Sequence, residues 1–128
     1  MQELVHYSLH LILPLPIAIV FFKNKKSAYL ILLMTMLVDL DHLLAEPIFQ
    51  ADRCSIEFHV LHRFYAIPFY FVLLLLKPPF RIIGIGLLLH MLTDFIDCLW
   101  MFQECNSCYE LNPLYKVLKY VSDLLGLN

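Results

Sequence analysis

Apolar residues run along this chain in four long stretches, and the short polar connections between them define the elements. A helix that crosses a membrane needs about 20 mainly apolar residues. Residues 4–22, 28–45, 59–76 and 82–102 meet or approach that length. Lys23-Asn24-Lys25-Lys26 makes a tight polar turn after the first stretch. Lys77-Pro78-Pro79 stops the third, because proline lacks the N–H that a helix ladder uses. Residues 46–58 read as a polar loop. Asn112-Pro113 then opens a last helix over residues 113–125, with Leu114, Val117, Leu118, Val121 and Leu125 on one face. The pattern predicts an all-α polytopic membrane protein. A single domain, residues 1–128, holds a four-transmembrane-helix bundle, and the C-terminal amphipathic helix lies in the interface or against the bundle.

Composition strengthens this picture. Of 128 residues, 61% are hydrophobic and only 16% charged, with mean hydropathy +0.74. These values exclude a disordered chain and exceed the apolar share of an ordinary soluble domain. A net charge of −2 without a basic stripe gives no reason to expect nucleic acid as a partner. The opening MQELVHYSLH lacks the basic flank of a signal peptide and reads as a retained first span. The first and third connections carry Lys23, Lys25, Lys26, Lys77 and Arg81 without an acid. The positive-inside rule places those connections in the cytoplasm, so both termini and the 46–58 loop face outward.

Alternating topology then brings the polar residues of all four spans to one side. His6 and His10 lie at the outer end of span one, and Asp39, Asp41 and His42 at that of span two. His59 and His62 open span three, while His90, Asp94 and Asp97 occupy the middle and outer half of span four. Ionisable groups inside a bilayer are costly and line functional sites. At about 100° per helical residue, His6 shares a face with His10 and Asp39 shares one with His42. His90, Asp94 and Asp97 fall within about 60° of one another, and Asp41 turns about 100° away from His42. Histidine nitrogens and aspartate oxygens at such spacing can chelate one or two divalent ions, with zinc first and manganese or iron as alternatives. The metal set is His6, His10, Asp39, His42, His59, His62, His90 and Asp94. Asp41 and Asp97 are expected behind the ligands, orienting histidines or taking a proton from water. Arg63 suits a phosphate or carboxylate, with snorkelling to the interface as its other reading. The bland account of the whole set is polar glue between helices.

The ordered motifs carry a resemblance. Residues 36–44 (MLVDLDHLL), 54–62 (CSIEFHVLH) and 86–99 (GLLLHMLTDFIDCL) follow a histidine-bearing first span. The order resembles the YdjM-type group, LexA-binding, inner-membrane-associated proteins classed as metal-dependent hydrolases. Within that group it looks closest to an uncharacterised family of small bacterial membrane proteins. The resemblance covers about residues 1–102. It implies a bacterial inner membrane, a metal site and a hydrolytic reaction. More distantly, the group is similar to zinc-dependent phospholipase C, where His-x-x-x-Asp holds zinc. By that likeness His90 and Asp94 would be ligands, completed by Asp39 or Asp41 with His42, His59, His62 and His10. This chain has no second downstream His-x-x-x-Glu and no N-terminal tryptophan, so one or two ions are expected rather than three.

The expected function is metal-dependent hydrolysis of a phosphoester in a lipid-linked substrate, with the bilayer itself as the other partner. No serine or cysteine nucleophile stands beside a matching base in these motifs, so water is expected to attack directly. The rivals are a metal-ion or proton transporter and a non-enzymatic module with a structural metal. Cys54, Cys98, Cys105 and Cys108 all fall on the outer side, where an even count predicts disulfides. A four-thiolate zinc site, since Cys105-x-x-Cys108 has ligand spacing, and free thiols are the alternatives.

Overall fold

The structure, a computed structural model, describes residues 2–46, 48 and 53–127. It is all-helical over these residues. The elements are α1 (Gln2–Ile12), α2 (Pro14–Phe21), α3 (Lys25–Met34), α4 (Ala66–Leu74), α5 (Phe80–Glu104) and α6 (Tyr115–Leu125). Among the described residues, three segments are long and apolar enough to cross a membrane: Leu4–Phe21, Lys25–Leu44 and Phe80–Glu104. The segment expected as a third span differs. Its helix covers only Ala66–Leu74, a rise of about 13 Å against a hydrocarbon core of about 30 Å. Arg63 is extended, and Val60–His62 forms a single 3₁₀ turn, so helix does not extend back to His59. Part of the predicted 46–58 loop, namely Pro47, Phe49, Gln50, Ala51 and Asp52, lies outside the described residues, as do Met1 and Asn128.

Local chemistry explains the breaks. Pro14 occupies the first turn of α2, separating it from α1 at Leu13. Asn24 caps α3 by accepting from the Ser27 N–H at 3.2 Å. After Met34 the chain tightens into a 3₁₀ helix over Thr35–Leu44. At three residues per turn, positions three apart eclipse. Thr35, Val38 and Asp41 accordingly form one buried column, and Leu37, Leu40 and Leu43 form an exposed one. This winding puts Asp41 inside. Arg81 Nε donates to the Leu74 and Leu76 carbonyls at 3.0 and 3.1 Å, closing the end of α4.

Helix α5 is the hub, packing against α1, α3, α4, α6 and the 3₁₀ segment. Two glycines permit the closest approaches. A Cβ at Gly84 would stand 2.7 Å from Leu73 Cβ and 2.9 Å from the Tyr70 carbonyl, and one at Gly86 would stand 2.6 Å from Thr35. Two apolar clusters result. One gathers Ala18, Ala28, Leu32 and Ile82 near the Lys-rich connection. The other gathers residues such as Ile56, Tyr70, Phe102, Tyr109 and Leu118 at the opposite end. The predicted C-terminal helix packs on this second cluster through Leu118 and Ser122, whose Oγ accepts from Gln103 Nε2 at 2.7 Å. It starts at Tyr115 rather than at Pro113, because Asn112 Oδ1 first accepts from the Leu114 N–H in a turn. Both disulfides are formed, Cys54–Cys98 and Cys105–Cys108, so the thiolates of a zinc site are not present.

Candidate metal centre

Between the two apolar clusters lie all six histidines and four of the aspartates. The tightest group draws on three parts of the chain: Asp39 from the 3₁₀ helix, His62 from the turn before α4, and His90 and Asp94 from α5. His62, His90 and Asp94 are buried, and Asp39 is half-buried. His62 Nε2 stands 3.1 Å from His90 Nε2, 3.5 Å from Asp39 Oδ1 and 3.1 Å from Asp94 Oδ2. His90 Nε2 stands 3.1 Å from Asp39 Oδ1 and 3.4 Å from Asp94 Oδ2. A tetrahedral ion with bonds of 2.0–2.1 Å would require ligand–ligand edges of about 3.3 Å. These five edges bracket that value.

The hydrogen bonds behind the ligands make a cation more than a matter of spacing. His62 Nδ1 donates to Asp41 Oδ2 at 3.2 Å, because a carboxylate only accepts. In the neutral ring this leaves Nε2 as an acceptor. His62 Nε2, Asp39 Oδ1 and Asp94 Oδ2 are then three acceptors converging on one point, and a single proton on His90 cannot satisfy them all. Buried polar groups without partners are costly, so the donor set fits a divalent ion. Asp41 is tied further by the Leu61 N–H, which donates to its Oδ2 at 2.8 Å. Tyr70 holds the same turn by donating to the Leu61 carbonyl at 2.7 Å.

Asp94 also faces a second set. Its Oδ1 lies 3.3 Å from His10 Nε2 and 3.9 Å from His6 Nε2. Asp97 Oδ2 lies 3.7 Å from His6 Nδ1, on the outer side of that ring. Thr93, fully buried, donates to the His90 carbonyl at 2.7 Å and so accepts from the His10 ring, whose nitrogens lie 3.0 and 3.1 Å away. His6, His10 and Asp94 offer three donors, while the first set offers four. One aspartate therefore links two potential ion positions, as bridging carboxylates do in bundle di-metal sites.

A third set, Asp41, His42 and His59, lies on the far side of His62. Here the rings of His42 and His59 stack, with centroids 3.6 Å apart and planes inclined by 22°. Imidazole lone pairs lie in the ring plane, so those of stacked rings run side by side instead of converging. His42 is also occupied otherwise. Its Nδ1 donates to Asp41 Oδ1 at 3.2 Å, and its Nε2 stands 3.1 Å from Ser55 Oγ. The sequence offered no serine beside a base, yet Ser55 stands beside one. The contact joins residues 13 apart across a non-helical loop, and no periodicity marks it. Thr93 carries no sequence signal for the same reason, since its partner His10 is 83 residues away. Arg63 is exposed and lines a groove of about 340 Å³ with Asp41, His59, Glu46, Glu57 and Phe58.

Comparison with curated proteins and with solved structures finds no match to the chain. One family model does match, over residues 1–101, and those residues include every member of the three donor sets. The chain belongs to DUF6122, a family of unknown function.

Proposed function

We propose that the protein is a membrane-embedded, metal-dependent hydrolase acting on a phosphoester in a lipid-linked substrate. The observation that carries the reading is the convergence of Asp39, His62, His90 and Asp94, with Asp94 shared between that set and His6–His10. Zinc suits two nitrogens and two carboxylate oxygens, with manganese or iron as alternatives. The four-donor set is complete in itself, the pattern of a structural ion. The set His6–His10–Asp94 leaves a fourth position, and two histidines with one carboxylate are the donors of hydrolytic zinc sites. His6, His10 and Asp94 would hold an ion there, and bound, it would supply Lewis-acid polarisation of a phosphoryl oxygen and acidify a coordinated water. Asp97, 3.7 Å from His6 and partly exposed, would be the proton acceptor beside that set. Arg63 lines the groove beside Asp41 and His59, on the other side of His62 from this set, so it would pair with a phosphate oxygen only of a substrate that also reaches that groove.

The resemblance of the ordered motifs to the YdjM-type group, and more distantly to zinc-dependent phospholipase C, supports the same reaction class. A transporter finds less support. The cluster Ala18, Ala28, Leu32 and Ile82 is wholly apolar and lies between the site and the Lys-rich connection. The reading extends to a bacterial inner membrane crossed four times. Residues 59–76 would cross as a broken segment, with the site and both termini outside, so alkaline phosphatase fused at the C-terminus should be active.

The test is to purify the protein in detergent, count its metal, and follow headgroup release from a lipid extract. Wild-type protein is expected to carry one or two ions and to release phosphorylated headgroups. Asp94→Ala should lose metal, and activity should fall at least about a hundredfold with the ligand geometry. Bound metal without turnover of any phosphoester would leave the four-donor set as a structural centre and end the hydrolase reading.

A further inference from the structure

Ser55, His42 and Asp41 form a hydrogen-bonded chain whose serine the metal reading does not use, Asp41 alone also serving it through its other oxygen, toward His62. Asp41 Oδ1 lies 3.2 Å from His42 Nδ1, and His42 Nε2 lies 3.1 Å from Ser55 Oγ. The carboxylate can only accept, so Nδ1 carries the proton of the neutral ring. Nε2 is then left to accept from the Ser55 hydroxyl. Asp41 itself is buried and held by two further donors, the Leu61 N–H and His62 Nδ1. Nucleophile, base and orienting acid thus stand in the order that defines a serine triad, which is recognised by geometry rather than by sequence position.

The surroundings favour one substrate chemistry. Ser55 sits in the turn that leads to Phe58 and His59, whose N–H groups donate to its carbonyl at 3.3 and 3.2 Å. His42 is followed by Leu43 and Leu44. Those two leucines, with Phe58, Val60 and Leu61, are large apolar side chains left exposed beside the chain of three. This apolar margin matches the acyl chain of a lipid.

We propose that Ser55 is a nucleophile for carboxylic esters of membrane lipids, with His42 as its base and Asp41 as the group that orients the base. In the first half-reaction the Ser55 O–H proton passes to His42 Nε2 as Oγ bonds to the ester carbonyl carbon. The ester C–O bond then breaks, and the departing alkoxide takes the proton from His42. The products are a free alcohol and an acyl-Ser55. Water then gives a proton to His42, attacks the acyl carbon and releases a carboxylic acid, and the proton returns to Oγ. This chemistry is separate from phosphoester hydrolysis at the metal sets and does not depend on it.

A fluorophosphonate probe reads the proposal directly, because it bonds covalently to an activated serine without needing the natural ester. Detergent-purified protein is incubated with the probe, digested and examined by mass spectrometry. Wild-type protein should carry the adduct on Ser55. Ser55→Ala should carry none, and His42→Gln should label at least tenfold more slowly. Thermal unfolding of each variant establishes that it is folded. An unlabelled Ser55 in folded wild-type protein overturns the proposal. So does equal labelling of folded His42→Gln.

Discussion

Asp41 makes contacts in two directions, with Oδ1 toward His42 and Oδ2 toward His62 and the Leu61 N–H. In the metal reading its work is to fix the proton of His62 on Nδ1, so that Nε2 faces Asp39, His90 and Asp94. Replacing it by asparagine keeps the volume but puts an amide N–H₂ where one carboxylate oxygen was. Loss of such a supporting carboxylate costs about 10–100-fold in metal affinity. Asp41→Asn is therefore expected to lose metal to a chelator at 10–100-fold lower competitor concentration than wild type, while remaining folded. Equal retention would show that His62 needs no orientation from Asp41. The residue types of the candidate site were legible in the sequence because histidine and aspartate are rare in apolar stretches. Their grouping into three sets was not. Spacing along a helix reports a shared face, whereas Asp94 joins its two sets through separate oxygens reaching His62 and His10 on different segments. Ser55 and Thr93 were invisible because small hydroxyl residues are common and their partners are set by tertiary contact alone.

At the scale of elements, hydropathy located the first, second and fourth apolar segments closely. It failed where the helix type changes. An α-helical period turns Asp41 away from His42 and leaves its partner open. The 3₁₀ period of Thr35–Leu44 instead aligns Asp41 with Thr35 and Val38 in the buried column. The repeat was present in the sequence as polar or small residues three apart, but a 3₁₀ run of ten residues is too uncommon to expect. The third segment's helix is shorter than its apolar run, which contains a 3₁₀ turn and extended residues before Ala66. That irregular stretch is what frees His62 to turn inward. Its helix α4 is held against α5 by Gly84, where an added Cβ would meet a main-chain carbonyl as well as Leu73. Since neither a carbonyl nor a Cβ can swing aside, Gly84→Ala must push the two helices apart. Overpacking of this kind costs about 1–3 kcal/mol. Thermal unfolding in detergent should show the Gly84→Ala variant less stable by that amount. An unchanged midpoint would mean that α4 does not press on α5 at this point.

For the molecule as a whole, the apolar segments turn oily faces outward and gather their histidines and aspartates inside. Leu4, Val20, Phe21, Leu30, Met34, Phe69, Phe71 and Leu75 are all large, apolar and exposed, as expected of surfaces meeting lipid. The irregular segment carrying His59 and His62 has only a single 3₁₀ turn to hold it in that setting, and the Cys54–Cys98 disulfide fastens its start to α5 one turn beyond Asp94. The two cysteines are 44 residues apart, and both are buried. Closing a loop of that length stabilises the fold by about 4 kcal/mol in the chain-entropy account. The Cys105–Cys108 bridge, with a separation of 3, restrains far less chain. Only the long bridge links two parts of the candidate metal centre, so the two should be separable by mutation. The Cys54→Ser/Cys98→Ser variant is expected to unfold at a markedly lower temperature and to release its metal to a chelator more readily. The Cys105→Ser/Cys108→Ser variant should keep wild-type metal affinity, with a smaller loss of stability. Parallel thermal unfolding and chelator titration of the two variants would check this. If breaking Cys54–Cys98 lowered stability but left metal affinity unchanged, the contacts of Asp41 and Tyr70 would suffice to hold His62 in place.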